Sequence, residues 1–292
     1  MGLFYEYNPP PLDEQHKRLV ALRHLTSRGI PCILWGEDAL NYVHSVPTSL
    51  FDQQILVPDE LLESASSILQ EGPYFPVPFT EDYTDFWGPN VGKSAYPGGI
   101  LLKHPDIPDD DPYKLDPLPG YILLLPQSYF GLDVRSKERF QSLVPPLPPS
   151  NADILAPKFN TLLEGLVAFN LNPPIPLETP HARGRAKHDI FIGYLLRYRV
   201  KYEDDGDTPP PKELVPEERV ILDELQTEDA RWYIGVYVGE RRLLQHEELS
   251  EYNRQKAPGL YVLRPFLSLA FSHPHLHRHP KAKIPGVALS ST

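Results

Sequence analysis

Apolar residues return at helical spacing near the start of the chain. Leu12, Leu19, Leu22 and Leu25, with Arg and His on the opposite side, predict a helix over 13–28. Gly29 suits a helix stop, and Pro31 bars continuation. The short apolar run 30–35 reads as a buried strand ended by Gly36, and 37–44 reads as a helix carrying Ala39, Leu40 and Val43 inward. A second strand is expected within 49–57, closing on Ile55, Leu56 and Val57. Pro58 and Asp59 then open a helix running through Leu69.

Regular pattern thins over 71–119. Within it, 94–103 predicts a hairpin, with Pro97, Gly98 and Gly99 near its turn and Ile100, Leu101 and Leu102 in its second strand. Residues 121–125 form a clear buried strand. Beyond about residue 150 the pattern turns helical, over 156–170, 188–202, 217–225 and 229–255. The acidic, proline-rich stretch 203–216 reads as a surface linker. These elements divide the chain into an α/β core over 1–150, a helical part over 151–272 and a loose His- and Pro-rich tail over 273–292. No internal repeat is evident.

Composition sharpens this picture in three ways. The 35 prolines in 292 residues are more than twice the usual share of ~5%, so short elements joined by stiff connections are expected. The net charge of −11 disfavours a non-specific nucleic-acid binder. A single cysteine, Cys32, excludes an intramolecular disulfide or a multi-Cys zinc site. With no apolar stretch near the ~20 residues of a membrane span and no signal-like start, a soluble, cytoplasmic protein without a membrane partner is expected.

The most informative segment is 30–57. It reads strand, glycine turn, helix, loop, strand, and the second strand carries Asp52-Gln53-Gln54 followed by Ile55-Leu56-Val57. Ala39-Leu40-Asn41 lies in the intervening helix and Val46-Pro47 before the acidic strand. In these residues the chain resembles the nucleotidyltransferase superfamily of the minimal and aminoglycoside type. It is also similar to a group of fungal proteins with a reduced form of that fold. In the family a Gly-Gly or Gly-Ser turn opens a short helix and the second strand bears Asp-x-Asp. The resemblance implies an α+β fold, a nucleotidyltransferase-like mixed β-sheet with flanking helices, followed here by a C-terminal helical part.

Such chemistry sets an attacking oxygen against a nucleotide α-phosphate, with divalent metal offsetting the charge. Carboxylates at i and i+2 of a strand share one face and suit hard Mg²⁺. A glycine turn at a helix start lets backbone N–H groups approach phosphate. The resemblance therefore implies Asp52 as a catalytic metal ligand for Mg²⁺, with Gly36, Glu37, Asp38 and Gln54 lining the nucleotide site. The sequence departs from the pattern at three points. Gln54 replaces the second carboxylate, the turn reads Gly36-Glu37-Asp38, and the later strand at 100–104 offers Lys103 and His104 but no acid. Three functions stay open: a transferase-like protein that binds a nucleotide or similar small molecule, a non-catalytic interaction protein on a decayed enzyme fold, and a fungal biosynthetic enzyme using an activated amino acid or aminoacyl-tRNA. Net charge disfavours the tRNA version.

Plainer readings stand beside these. Acids in the first helical turn are favoured by the dipole alone, which is the leading reading of Glu37 and Asp38; the same acids could instead recognise a cation such as an amine or guanidinium. His188 and Asp189, with Arg183, Arg185 and Lys187, read as a solvated basic entry to a helix. Tyr194, Tyr198 and Tyr202 share one helix face and suit packing. Cys32 reads as an inert core thiol, Asp109–Asp111 as a solvated loop, and Trp35, Trp87 and Trp232 as packing residues, Trp35 also as a pocket wall.

Overall fold

The computed structural model describes residues 10–79, 96–106, 118–145, 147–174, 182–200 and 213–240. The expected Asp109–Asp111 loop, Trp87, Tyr202 and the tail lie outside them. The first predicted helix is two, α1 (Leu12–Arg18) and α2 (Val20–Ser27). The backbone opens at Leu19 (φ −86°, ψ 8°), yet Leu19 N–H still reaches Gln15 and Arg23 N–H reaches Leu19, so this is a bend and not an end. Gly29 stops α2 as its type demands. It sits at φ +77°, with Gly29 N–H on Thr26 and Ile30 N–H on Leu25, the paired bonds of a Schellman cap.

Next come β1 (Ile33–Trp35), α3 (Gly36–His44), β2 (Gln53–Val57), a single 3-10 turn (Asp59–Leu61) and α4 (Leu62–Leu69). The later elements are β3 (Phe75–Val77), β4 (Ile100–Lys103), β5 (Tyr121–Pro126), β6 (Phe140–Ser142), β7 (Leu155–Pro157), α5 (Phe159–Leu171), α6 (Ala182–Val200), α7 (Pro216–Glu224) and α8 (Glu228–Glu240). The fold is mixed α/β. Its seven described strands form one sheet in the order β3-β4-β5-β2-β1-β7-β6. Pairing is parallel for β2 with β5 and for β1 with β7, and antiparallel elsewhere.

Two expectations are corrected by this topology. The turn near 97–99 exists, with Gly98 at φ +91° and Gly99 N–H on Tyr96, but the described partners of β4 are the distant β3 and β5. The helix expected from 156 begins at Phe159, because 155–157 extend alongside β1. Strands β6 and β7 also pair across residue 150. Among the described residues no helix is long and apolar enough to cross a membrane.

Alternation along the central strands splits the core in two. Ile33, Trp35, Leu56, Leu123 and Leu125 pack with Leu162, Leu166 and Phe169 of α5, Phe191, Ile192 and Leu195 of α6 and Tyr233 and Ile234 of α8. Leu34, Ile55, Val57, Ile122 and Leu124 face the other way, onto Leu19, Leu22 and Leu25 and onto Leu62, Ala65 and Leu69 of α4. Helix α3 meets both, through Leu40 on the first side and Tyr42 on the second. Glu164 of α5 joins the C-terminal helices to the sheet, accepting from Arg139 and from the backbone N–H groups of Gln226 and Thr227. Cys32 is buried, and desolvation pushes its thiol up to about 12, an inert core position.

Trp35 is fully buried, with its ring centroid 4.5 Å from that of Phe130. It rests on the bare backbone of Gly165, where a Cβ would come within 2.7 Å of Cη2 of the Trp35 ring. Alanine raises helix propensity by about 1 kcal/mol, but overpacking a pinned ring costs about 1–3 kcal/mol. Gly165→Ala is therefore expected to lower stability by up to about 2 kcal/mol, read as a lower urea midpoint at unchanged slope. An unchanged midpoint would mean that the Trp35 ring yields freely.

Candidate functional site

The sequence-predicted residues gather at one end of the β1–β2 pair. Antiparallel pairing sets Trp35 opposite Gln54, so the glycine turn leaves β1 where β2 begins. Gly36 sits at φ +63°, a region only glycine enters without strain. Glu37 and Asp38 form the first turn of α3, and Asp52 immediately precedes β2. All three acids are buried, at 3%, 0% and 5% exposure.

The space over the turn is filled. A Cβ on Gly36 would lie 2.8 Å from both Cδ and Oε1 of Gln54, so the glutamine side chain lies against the glycine backbone. Gln54 Nε2 donates to Glu37 Oε2 at 3.3 Å. The other Glu37 oxygen, Oε1, stands 2.7 Å from Lys187 Nζ of α6, and both side chains are almost fully buried. Asp38 is met by Arg18 in a two-pronged contact, Nε to Oδ1 at 2.5 Å and Nη2 to Oδ2 at 3.0 Å. Arg18 also donates to the Phe51 carbonyl at 2.7 Å, and its own carbonyl accepts from Gln53 Nε2 at 2.9 Å. Burial alone would lower the Arg18 pKa, but the Asp38 carboxylate holds it above its ordinary value.

The two acids of the turn thus recognise an amine and a guanidinium, and both cations belong to the chain itself. Charges this deep are tolerated only when paired and hydrogen-bonded, and each acid here has its own cation. Mg²⁺ asks for several oxygen ligands free of other cations. Glu37 and Asp38 are engaged by cations, and Gln54 is neutral. No group of three or more His, Cys, Asp or Glu residues that could hold a metal gathers among the described residues. The strand parallel to β2 is β5, and opposite Gln54 it carries Leu123.

Comparison with protein-family models, with curated proteins and with solved structures finds no match to this chain. The geometry alone therefore carries the functional reading.

Sequence reasoning missed Lys187, His188 and Asp189, which are buried at 2%, 0% and 3% exposure and not a solvated basic entry. Asp189 Oδ1 accepts from Asn170 Nδ2 and from the Tyr233 hydroxyl, each at 2.6 Å. His188 lies against the rings of Phe169, at 4.1 Å between centroids, Phe130 and Phe191. Among the described residues neither of its ring nitrogens has a hydrogen-bond partner. Burial, and next the Lys187 charge, push its pKa down to about 3. A signal was present: Lys187 and Phe191 are four apart on one helix face, as are His188 and Ile192, pairing each polar residue with a core position.

Two outcomes follow. Lys187→Met strands a buried Glu37 carboxylate and is expected to cost about 3–5 kcal/mol in chemical denaturation, whereas Glu37→Gln with Lys187→Met recovers most of that loss. Equal losses in the single and double variants would show that the ion pair is not what the site depends on. For His188, the folded pKa near 3 lies below the ordinary 6.5, so only the unfolded chain takes up the proton between those values. Stability contributed by keeping this group neutral is complete above pH 6.5 and is lost as pH falls towards 3. The wild-type slope over this window should exceed that of His188→Leu by about 1.4 kcal/mol per pH unit, measured by urea titrations at stepped pH.

Proposed function

We propose that this chain is a non-catalytic binding or interaction protein built on a nucleotidyltransferase-like scaffold. The observation that carries this reading is the buried 2.7 Å contact between Lys187 Nζ and Glu37 Oε1. In metal-dependent nucleotidyl transfer a divalent cation neutralises the acids beside the glycine turn and leaves coordination positions open for phosphate. An ammonium held on a helix neutralises an acid but offers no Lewis-acid centre and no exchangeable ligand position. Gln54 works in the same direction, since its side chain lies where a phosphate would approach the Gly36 backbone. The order strand, glycine turn, helix, strand supports the scaffold half of the reading.

Titration calorimetry with Mg²⁺ and each of the four nucleoside triphosphates tests it. The expected result is no saturable metal-dependent heat from the wild-type protein and no difference in Asp52→Ala. Metal-dependent nucleotide binding that disappears in Asp52→Ala would overturn the proposal and restore the transferase-like reading. An absorbance excess at 260 nm in purified protein, from bound RNA, would instead favour the aminoacyl-tRNA version.

A further inference from the structure

The far end of α3 is built differently from its start. About 12 Å along the helix from Gly36, at 1.5 Å per residue, a cleft of about 440 Å³ opens, within the range of small-molecule sites. Its walls are Val43, His44 and Ser45 at the end of α3, Gln141 of β6, Phe159 at the start of α5, and Leu195, Tyr198 and Arg199 on the last turns of α6. None of these lining residues is acidic. The one formal charge among them is the Arg199 guanidinium, which lies 5.6 Å from the centre of the Phe159 ring and makes no ion pair with any described residue.

We propose that this cleft binds a small aryl carboxylate, with Arg199 holding the carboxylate. The inference is independent of the non-catalytic reading of the glycine turn. A guanidinium presents two parallel N–H groups that match a carboxylate edge. Its being the sole charge among the lining residues suits a monoanion better than a phosphate dianion. The ring of the ligand is matched by the walls. Val43 and Leu195 are aliphatic, and His44 and Phe159 stand edge to face at 6.0 Å and 75°, a geometry that admits a further aromatic group.

His44 adds a second requirement. Its Nε2 lies 3.1 Å from the Pro157 carbonyl oxygen, which can only accept, so Nε2 carries the proton. Burial pushes the ring's pKa down to about 4, with the Arg199 charge also lowering it and the Pro157 bond opposing. The imidazole is therefore neutral near pH 7, and Nδ1 is a bare acceptor without a partner among the described residues. A ring hydroxyl on the ligand would donate to it. The site thus reads as a hydroxylated aryl carboxylate pocket, with Arg199 as its cation, His44 Nδ1 as its acceptor, and a lining of aliphatic and aromatic side chains together with Gln141 and Tyr198.

The test is titration of the full chain with 4-hydroxybenzoate, followed by calorimetry and by NMR shifts. Saturable one-site binding is expected at up to millimolar concentration. It should weaken at least about tenfold in Arg199→Gln and, with no mutation at all, when 4-hydroxybenzamide replaces the acid. Arg199→Lys, which keeps the charge but loses the fork, should fall between wild type and Arg199→Gln. Benzoate should bind more weakly than 4-hydroxybenzoate. No saturable binding, equal affinity for acid and amide, affinity unchanged in Arg199→Gln, or displacement by equimolar inorganic phosphate would each overturn the proposal.

Discussion

The Glu37–Lys187 ion pair is the constraint around which this molecule is arranged. It joins the first turn of α3, near the start of the sheet, to a helix 150 residues further along the chain. A charge on either side alone would be prohibitive at this depth, so the two elements must dock in one register for either to be buried. Gln54 extends the same logic into the central strand of the sheet by donating to the second Glu37 oxygen. On the other flank, Arg18 binds Asp38 and the Phe51 carbonyl together, fixing the α1–α2 bend against the entry to β2. One helical turn is therefore held from two sides by two cations, and the hydrophobic clusters on the two faces of the sheet meet across it.

Much of the first half was legible in the sequence because its signals are local. Gly29 ends a helix through its own left-handed conformation. Gly36 marks the strand-to-helix turn for the same reason, and the apolar runs at 33–35, 55–57 and 121–125 are buried strands because little else can be made of them. The acids Glu37 and Asp38 were visible as a pair. The cations they meet belong to the chain itself. Which amine and which guanidinium was not visible, since Arg18 and Lys187 lie 20 and 150 positions away and nothing in local spacing links them.

The second half was harder for a related reason. β6 and β7 are three residues each, too short for alternation to show, and they exist because the sheet edge beside β1 is available to pair. A clue did lie in Pro157, which pushes the preceding Ala156 towards extended backbone and so argues against starting the helix there. Lys187, His188 and Asp189 misled because three polar residues beside arginines resemble a solvent face. Each is buried for a different reason: Lys187 meets a carboxylate, Asp189 collects two donors, and His188 is enclosed by phenylalanine rings and stays neutral. Composition cannot distinguish these from exposed residues, because the partners come from elsewhere in the fold.

Helix α3 shows what this organisation leaves behind. At its N-terminal end, acid meets cation twice and a glutamine lies against the glycine backbone, so the charge of Glu37 and Asp38 is met inside the protein. At its C-terminal end, Ser45 turns the chain in the left-handed region at φ 55°, His44 spends its one donor on Pro157, and Arg199 meets an aromatic face but, among the described residues, no carboxylate. Full charges near a protein surface tolerate solvent, so an unpaired Arg199 costs little there. An unpaired Lys187 in the core would be far more costly. The same chain thus pairs Glu37 with Lys187 and Asp38 with Arg18 in the core and leaves Arg199 at the surface. A residue's chemistry follows from which of those two places the fold assigns to it, and the familiar glycine-and-acid motif has been assigned to the first.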